Sequence, residues 1–65
     1  MNLTKELLEQ IVDFSFDWYP EGQIDWDDLL YRIEVNFNLD LGNDMLSPEI
    51  KKIKAAINKA RREAE

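Results

Sequence analysis

The chain has 65 residues, of which 45% are hydrophobic, and it contains neither cysteine nor histidine. This length allows one domain, and the composition excludes disorder, a disulfide framework and a Cys/His zinc site. Charge is divided along the chain: residues 1–50 carry 12 acidic and 2 basic side chains, whereas residues 51–65 carry 2 acidic and 6 basic ones. An acidic body with a basic end requires an electrostatic partner inside or outside the molecule.

The first predicted helix covers residues 4–19. Its apolar side chains recur with a helical period and fill an arc of roughly 200°, wider than the ~100° stripe that one packing neighbour requires. The opposite arc holds an acidic row, which consists of Glu6, Glu9, Asp13 and Asp17. Pro20 disfavours helical backbone at Tyr19, and Gly22 permits a turn, so we expect this helix to end there.

The second predicted helix covers residues 26–38. Asp25 is placed to cap the backbone N–H of Asp28, and Asp28 is placed to reach back in a carboxylate variant of the capping box. Its narrow core stripe consists of Trp26, Leu29, Leu30, Ile33 and Phe37. The asparagines near its end and the pair Gly42-Asn43 predict that the helix stops between Leu39 and Asp44.

The third predicted helix covers residues 48–63, with Ser47 as N-cap and Pro48 at the first helical position. Its apolar stripe is short and its remaining surface is basic, consisting of Lys51, Lys52, Lys54, Lys59, Arg61 and Arg62. The short segment from Val35 to Leu41 alternates apolar and polar residues, but the chain offers no second strand with which it could form a sheet. The sequence therefore predicts an all-α fold, a small three-helix domain. Its expected core is Leu7, Leu8, Ile11, Phe14, Trp18, Trp26, Leu29, Leu30, Ile33, Phe37, Leu46, Ile50, Ile53 and Ile57.

Catalysis is poorly supported, because the chain lacks the commonest general base and the best nucleophile among side chains. Asn36, Asn38 and Asp40 stand at i, i+2 and i+4, as the first ligands of an EF-hand loop do. Leu41 and Ser47 occupy the positions where that loop requires glycine and glutamate, so the calcium motif fails. We therefore expect no enzymatic activity, no metal and no cofactor.

Both charged surfaces suggest alternative functions. The cations of the third helix have the footprint of a nucleic-acid-binding regulator, although that helix carries no aromatic side chain for stacking on bases. The acidic row of the first helix could imitate a phosphate backbone and block a nucleic-acid-binding protein. Each of the two charged surfaces is also typical of an ordinary solvated helix face.

The most informative feature of the sequence is a second apolar stripe, in addition to the one that the predicted core requires. Tyr31 and Val35 lie on the second helix opposite its core stripe, Leu39 follows near the same edge, and Phe16 lies at the far edge of the first helix. An extra stripe on a chain of this size often means that another surface covers it. The alternative is that the third helix or the connection before it folds over these four residues.

These observations favour a small acidic interaction or inhibitor protein that binds a larger protein through a helical surface. A second copy of the chain is a further candidate partner, and nucleic acid is a weaker one. No apolar run approaches the ~20 residues that span a bilayer, so we expect no membrane association and a cytoplasmic location. Such a chain would suit a regulatory accessory protein of a phage or mobile element.

Overall fold

The computed structural model describes residues 3–42 and 47–64. Within these two ranges it contains three α-helices and no strand: α1 (Lys5–Trp18), α2 (Trp26–Phe37) and α3 (Pro48–Ala64). The predicted all-α fold, a small three-helix domain, is confirmed. Helix α1 packs against both α2 and α3.

Each helix begins at a side chain that accepts a hydrogen bond from an otherwise unpaired backbone N–H. Thr4 Oγ1 accepts from Leu7 N at 3.1 Å, and Ser47 Oγ accepts from Ile50 N at 3.4 Å. At α2, Asp25 Oδ1 accepts from Asp28 N at 3.4 Å, as the sequence predicts. The Asp28 carboxylate does not complete the predicted capping box, because it accepts hydrogen bonds from two other side chains described below.

The C-terminal ends of α1 and α2 are each followed by a residue with left-handed backbone conformation. At the end of α1, Tyr19 N donates to Ser15 O at 2.9 Å, and Gly22 takes a left-handed φ of 85° in the turn that follows. Helix α2 stops earlier than predicted, at a C-cap Asn38 with φ 54° and ψ 48°. Asparagine tolerates this left-handed conformation better than most residues. Gly42 follows with φ 70°, and Asn43 lies outside the described residues.

The core lies between the inward faces of the three helices. Its buried apolar side chains are Ile11, Leu29, Leu30, Ile33, Leu41, Ile50, Ile53 and Ile57. All but one belong to the predicted core, the exception being Leu41, which enters from the connection after α2. Leu7, Leu8, Phe14, Trp26 and Phe37 are partly buried and pack against this cluster. The predicted core residue Leu46 lies outside the described residues.

Two side chains of α1 depart from the predicted pattern. Trp18, expected in the core, is 50% exposed because it is the last residue of the helix, where Phe14 and Arg32 cover only part of its ring. Ser15, which is not part of the predicted core, is fully buried. Its hydroxyl donates to Val12 O at 2.6 Å, so the buried polar group is paired.

Candidate protein-interaction surface

The exposed apolar side chains of the described residues gather on one face of the molecule. Trp18, Tyr31 and Val35 are the large hydrophobic residues exposed there, at 50%, 66% and 65% of their surface. They line one open groove of about 220 Å³, together with Phe14, Arg32 and Asn36. The groove lies between the end of α1 and the outer side of α2. We call this surface the Trp18–Tyr31–Val35 face.

Packed aromatic rings support the α1 side of this face. The centroids of the Phe14 and Trp18 rings are 6.2 Å apart, and those of Phe14 and Phe37 are 5.5 Å apart in an edge-to-face arrangement. Such pairs are favourable beyond their buried area. Phe14 therefore links the exposed Trp18 to the α2 residue Phe37, which packs on the core.

A polar network fixes the α2 side of the face. Tyr19 Oη donates to Asp28 Oδ2 at 2.6 Å, and Arg32 Nε donates to the same oxygen at 2.9 Å. The Arg32 guanidinium also lies over the Trp18 ring, 3.9 Å from its centroid. Arginine is suited to this double role because its planar cation stacks on an aromatic face while its edge donates hydrogen bonds. The network thus joins the end of α1 to the first turns of α2.

The same hydrogen bonds shift two pKa values in opposite directions. The bonds from Tyr19 and Arg32 favour the charged carboxylate and hold the pKa of Asp28 below its ordinary value of 3.8. Donating to that carboxylate favours the neutral phenol, so the pKa of Tyr19 is raised above 10.0. Both shifts widen the pH range over which Asp28 is charged and Tyr19 is neutral, which is the form that makes the hydrogen bond.

The structure separates the four residues that the sequence proposed as a partner-binding group. Tyr31 and Val35 are exposed on the Trp18–Tyr31–Val35 face. Phe16 is partly buried beneath the Arg61 guanidinium, whose central carbon is 4.7 Å from the ring centroid, and Leu39 packs against the core. Two of the four predicted residues therefore lie on this face, and Trp18 joins them.

Two of the predicted basic-face residues are engaged within the molecule. Arg61 Nη2 donates to Tyr19 O at 2.5 Å and to Ser15 O at 3.2 Å, so it caps the C-terminus of α1. Lys54 is half-buried, with its ammonium nitrogen 5.3 Å from the centroid of the Trp26 ring. The remaining members of the predicted basic face, Lys51, Lys52, Lys59 and Arg62, are exposed.

All members of the predicted acidic row, Glu6, Glu9, Asp13 and Asp17, are exposed along α1. Glu9 and Asp13 border a second groove, of about 580 Å³, between α1 and α3. Its apolar lining consists of Leu8, Val12, Ala56 and Ala60, all partly buried, and its charged lining has both signs. This groove therefore lacks the exposed large apolar anchors of the Trp18–Tyr31–Val35 face.

Within residues 3–42 and 47–64, no three acidic side chains lie close enough together to hold a metal ion. In the same ranges, no helix combines the length and apolarity needed to cross a membrane.

Comparison of the chain with protein-family models, curated proteins and solved structures gave no match.

Proposed function

We propose that this chain is a small non-enzymatic interaction protein, a cytoplasmic inhibitor or regulator that binds a larger protein through the Trp18–Tyr31–Val35 face. The observation that carries this proposal is that the exposed large apolar side chains of the described residues line one groove instead of being scattered. Scattered exposed apolar residues are ordinary, whereas a contiguous group is typical of an interaction site. Tryptophan, tyrosine and arginine are also the residue types that dominate binding energy at interfaces.

The rigidity of the face supports the same proposal. The Trp18 ring contacts both Phe14 and the Arg32 guanidinium, and Arg32 is itself held by Asp28. Side chains ordered before binding lose less conformational entropy when a partner docks.

The basic helix α3 is less well suited to be the binding element. Arg61 and Lys54 make contacts within the molecule, which leaves four exposed cations in the predicted basic face. Fewer available cations release fewer counterions, which weakens the electrostatic term that dominates nucleic-acid binding. A nucleic-acid regulator that uses α3 is therefore our second choice.

A double substitution on the face tests the proposal. Tyr31→Glu with Val35→Lys replaces both exposed apolar residues of α2 without changing the net charge. We expect this variant to keep the helical circular dichroism and the melting temperature of the wild type. In quantitative affinity capture from the native host, it should lose a protein that the wild type retains.

The matched control carries the same charges on exposed positions of α3, Asn58→Glu with Ala55→Lys. We expect this control to retain the captured protein. Equal capture by the wild type and both variants would overturn the proposed site. Loss of capture by the α3 variant alone would instead favour α3 as the binding element.

A further inference from the structure

The apolar centre of the Trp18–Tyr31–Val35 face is bordered by carboxylates. On α2, the residues at i−4, i−3 and i+3 from Tyr31 are Asp27, Asp28 and Glu34. Residues at these spacings are surface neighbours on a helix. At i+4 stands Val35, the second exposed apolar residue of α2. Three of these four positions next to Tyr31 on α2 are therefore acidic, and the fourth is apolar.

The negative charge of this border is not cancelled within the described part of the chain. Arg32 is the cation that lines the groove, and it forms an ion pair with Asp28. Asp27 and Glu34 have no ion-pair partner among residues 3–42 and 47–64. On the α1 side, exposed Asp17 directly precedes Trp18. The groove itself is lined by one charged residue, Arg32, and the carboxylates that neighbour Tyr31 and Trp18 leave net negative charge beside it.

We propose that the Trp18–Tyr31–Val35 face binds a cationic amphipathic helix of another protein, a segment rich in lysine or arginine with one apolar stripe. This proposal rests on the proposed function and names the chemistry of the partner. The apolar stripe of such a helix fills the groove beside Trp18, as in helix-in-groove recognition. Its flanking cations meet Asp27 and Glu34, which selects the partner by electrostatic complementarity.

The same charges act against other classes of partner. Phosphate groups of a nucleic acid and headgroups of an anionic membrane are repelled by the carboxylates that neighbour Tyr31 and Trp18. An acidic helix meets the same repulsion, and like-charge contacts at an interface reject wrong partners. A cationic helix is the protein segment that satisfies both the groove and its border.

Two synthetic peptides of 18 residues test this inference. Both carry one leucine stripe at helical spacing, and their polar positions are filled with lysine in one peptide and glutamate in the other. Each is titrated into the isotopically labelled full chain and followed by nuclear magnetic resonance. We expect the lysine peptide to bind at least about tenfold more tightly. Its shifts should centre on the Trp18 indole, the Tyr31 ring and the Val35 methyl groups.

The second arm of the test removes the charges of two carboxylates that neighbour Tyr31. Asp27→Asn with Glu34→Gln should weaken binding of the lysine peptide by roughly tenfold, because two carboxylates that face its cations are lost. The matched control, Glu6→Gln with Glu9→Gln, removes two exposed charges from α1 and should leave the affinity nearly unchanged. Equal weakening by both variants would mean that net charge alone drives binding, and would overturn the inference.

The remaining outcomes separate this inference from the proposed function. If both peptides bind the face equally well, the interaction site stands and its preference for cations is wrong. If neither peptide shifts the face, both proposals fail. If the lysine peptide shifts Glu6 and Glu9 instead, the acidic row is the cation site and the inference is wrong. Concentration-dependent sedimentation with shifts on the face would make a second copy the occupant and would also overturn it.

Discussion

The guanidinium of Arg32 lies 3.9 Å from the centroid of the Trp18 ring, so a residue of α2 covers one side of the last residue of α1. This contact explains how a half-exposed tryptophan at a helix end keeps a defined position. Cation–π contacts at exposed sites are worth about 0.5–1 kcal/mol, enough to bias a side chain without burying it. The Trp18 ring is therefore ordered and still exposed enough to contact a partner.

The Tyr19–Asp28 hydrogen bond predicts a pH dependence in acid. Because the pKa of Asp28 is lowered in the folded state, its contribution to stability is present above the ordinary value of 3.8. That contribution is lost as the pH falls through the lower folded value. Tyr19→Phe removes one of the two hydrogen bonds that lower the pKa. We expect urea titrations between pH 2 and pH 6 to show that Tyr19→Phe loses less unfolding free energy in acid than the wild type does. The difference between the two losses corresponds to the part of the Asp28 pKa shift that the Tyr19 hydrogen bond causes.

The same pair predicts the opposite dependence in alkali. The pKa of Tyr19 is raised in the folded state, so its contribution is present below 10.0 and is lost as the pH rises through the higher folded value. The difference in unfolding free energy between the wild type and Tyr19→Phe should therefore shrink above about pH 10. A difference that stays constant across this range would show that the phenol does not donate to Asp28.

Substitution of Arg61 should lower the free energy of unfolding more than is usual for a residue so near the end of a helix. Arg61→Ala removes two hydrogen bonds from a charged donor to backbone carbonyls and should lower the free energy of unfolding by about 1–3 kcal/mol. Arg61→Lys should recover only part of this loss, because an ammonium group lacks the planar fork. The neighbouring Arg62→Ala, at an exposed position, is the control and should change stability by less than about 0.5 kcal/mol. Chemical denaturation measures all three.

The N-cap of α2 predicts a smaller effect. Asp25→Ala leaves Asp28 N without its side-chain acceptor and should destabilise the fold by about 1 kcal/mol. Asp25→Ser retains a capping oxygen and should behave like the wild type. Thermal melts at equal protein concentration compare the three proteins, and an unchanged midpoint for the alanine variant would show that Asp25 does not cap the helix.

Two residues one half-turn apart on α2 should respond in opposite ways to truncation. Ile33 is fully buried, so Ile33→Ala should cost about 2–5 kcal/mol by leaving a cavity in the core. Val35 is 65% exposed, so Val35→Ala should change stability by no more than about 0.5 kcal/mol. If Val35→Ala proved as costly as Ile33→Ala, Val35 would belong to the core and the proposed face would be wrong.

The helices were predictable because their signals are local. Capping side chains such as Asp25 and Ser47 precede periodic apolar stripes, and both features act within a few residues. The exposure of Tyr31 and Val35 follows from the same periodicity, since both lie opposite the core stripe of α2. The part of the candidate site that lies on α2 could therefore be predicted from the sequence.

The remaining features depend on contacts between distant residues. The periodicity of α1 places Trp18 in the apolar arc, but only the packing of α2 shows that its ring stays half exposed beside Arg32. Charge patterning placed Arg61 on a solvated face, whereas the carbonyls at the end of α1 draw it inward. An arginine near the end of a helix gives no sequence signal that distinguishes these two positions, because the acceptors lie more than 40 residues away.

The Arg61–Ser15 hydrogen bond also has a consequence for the order of folding. The two residues are 46 positions apart, so their contact closes most of the described chain into one loop. The entropy of closing that loop must be lost before the bond forms, whereas the turns within each helix form locally and quickly. We therefore expect the C-terminal turn of α1 to become stable only when α3 docks. Hydrogen exchange at Tyr19 N should then report the docking of α3, and not the intrinsic stability of α1.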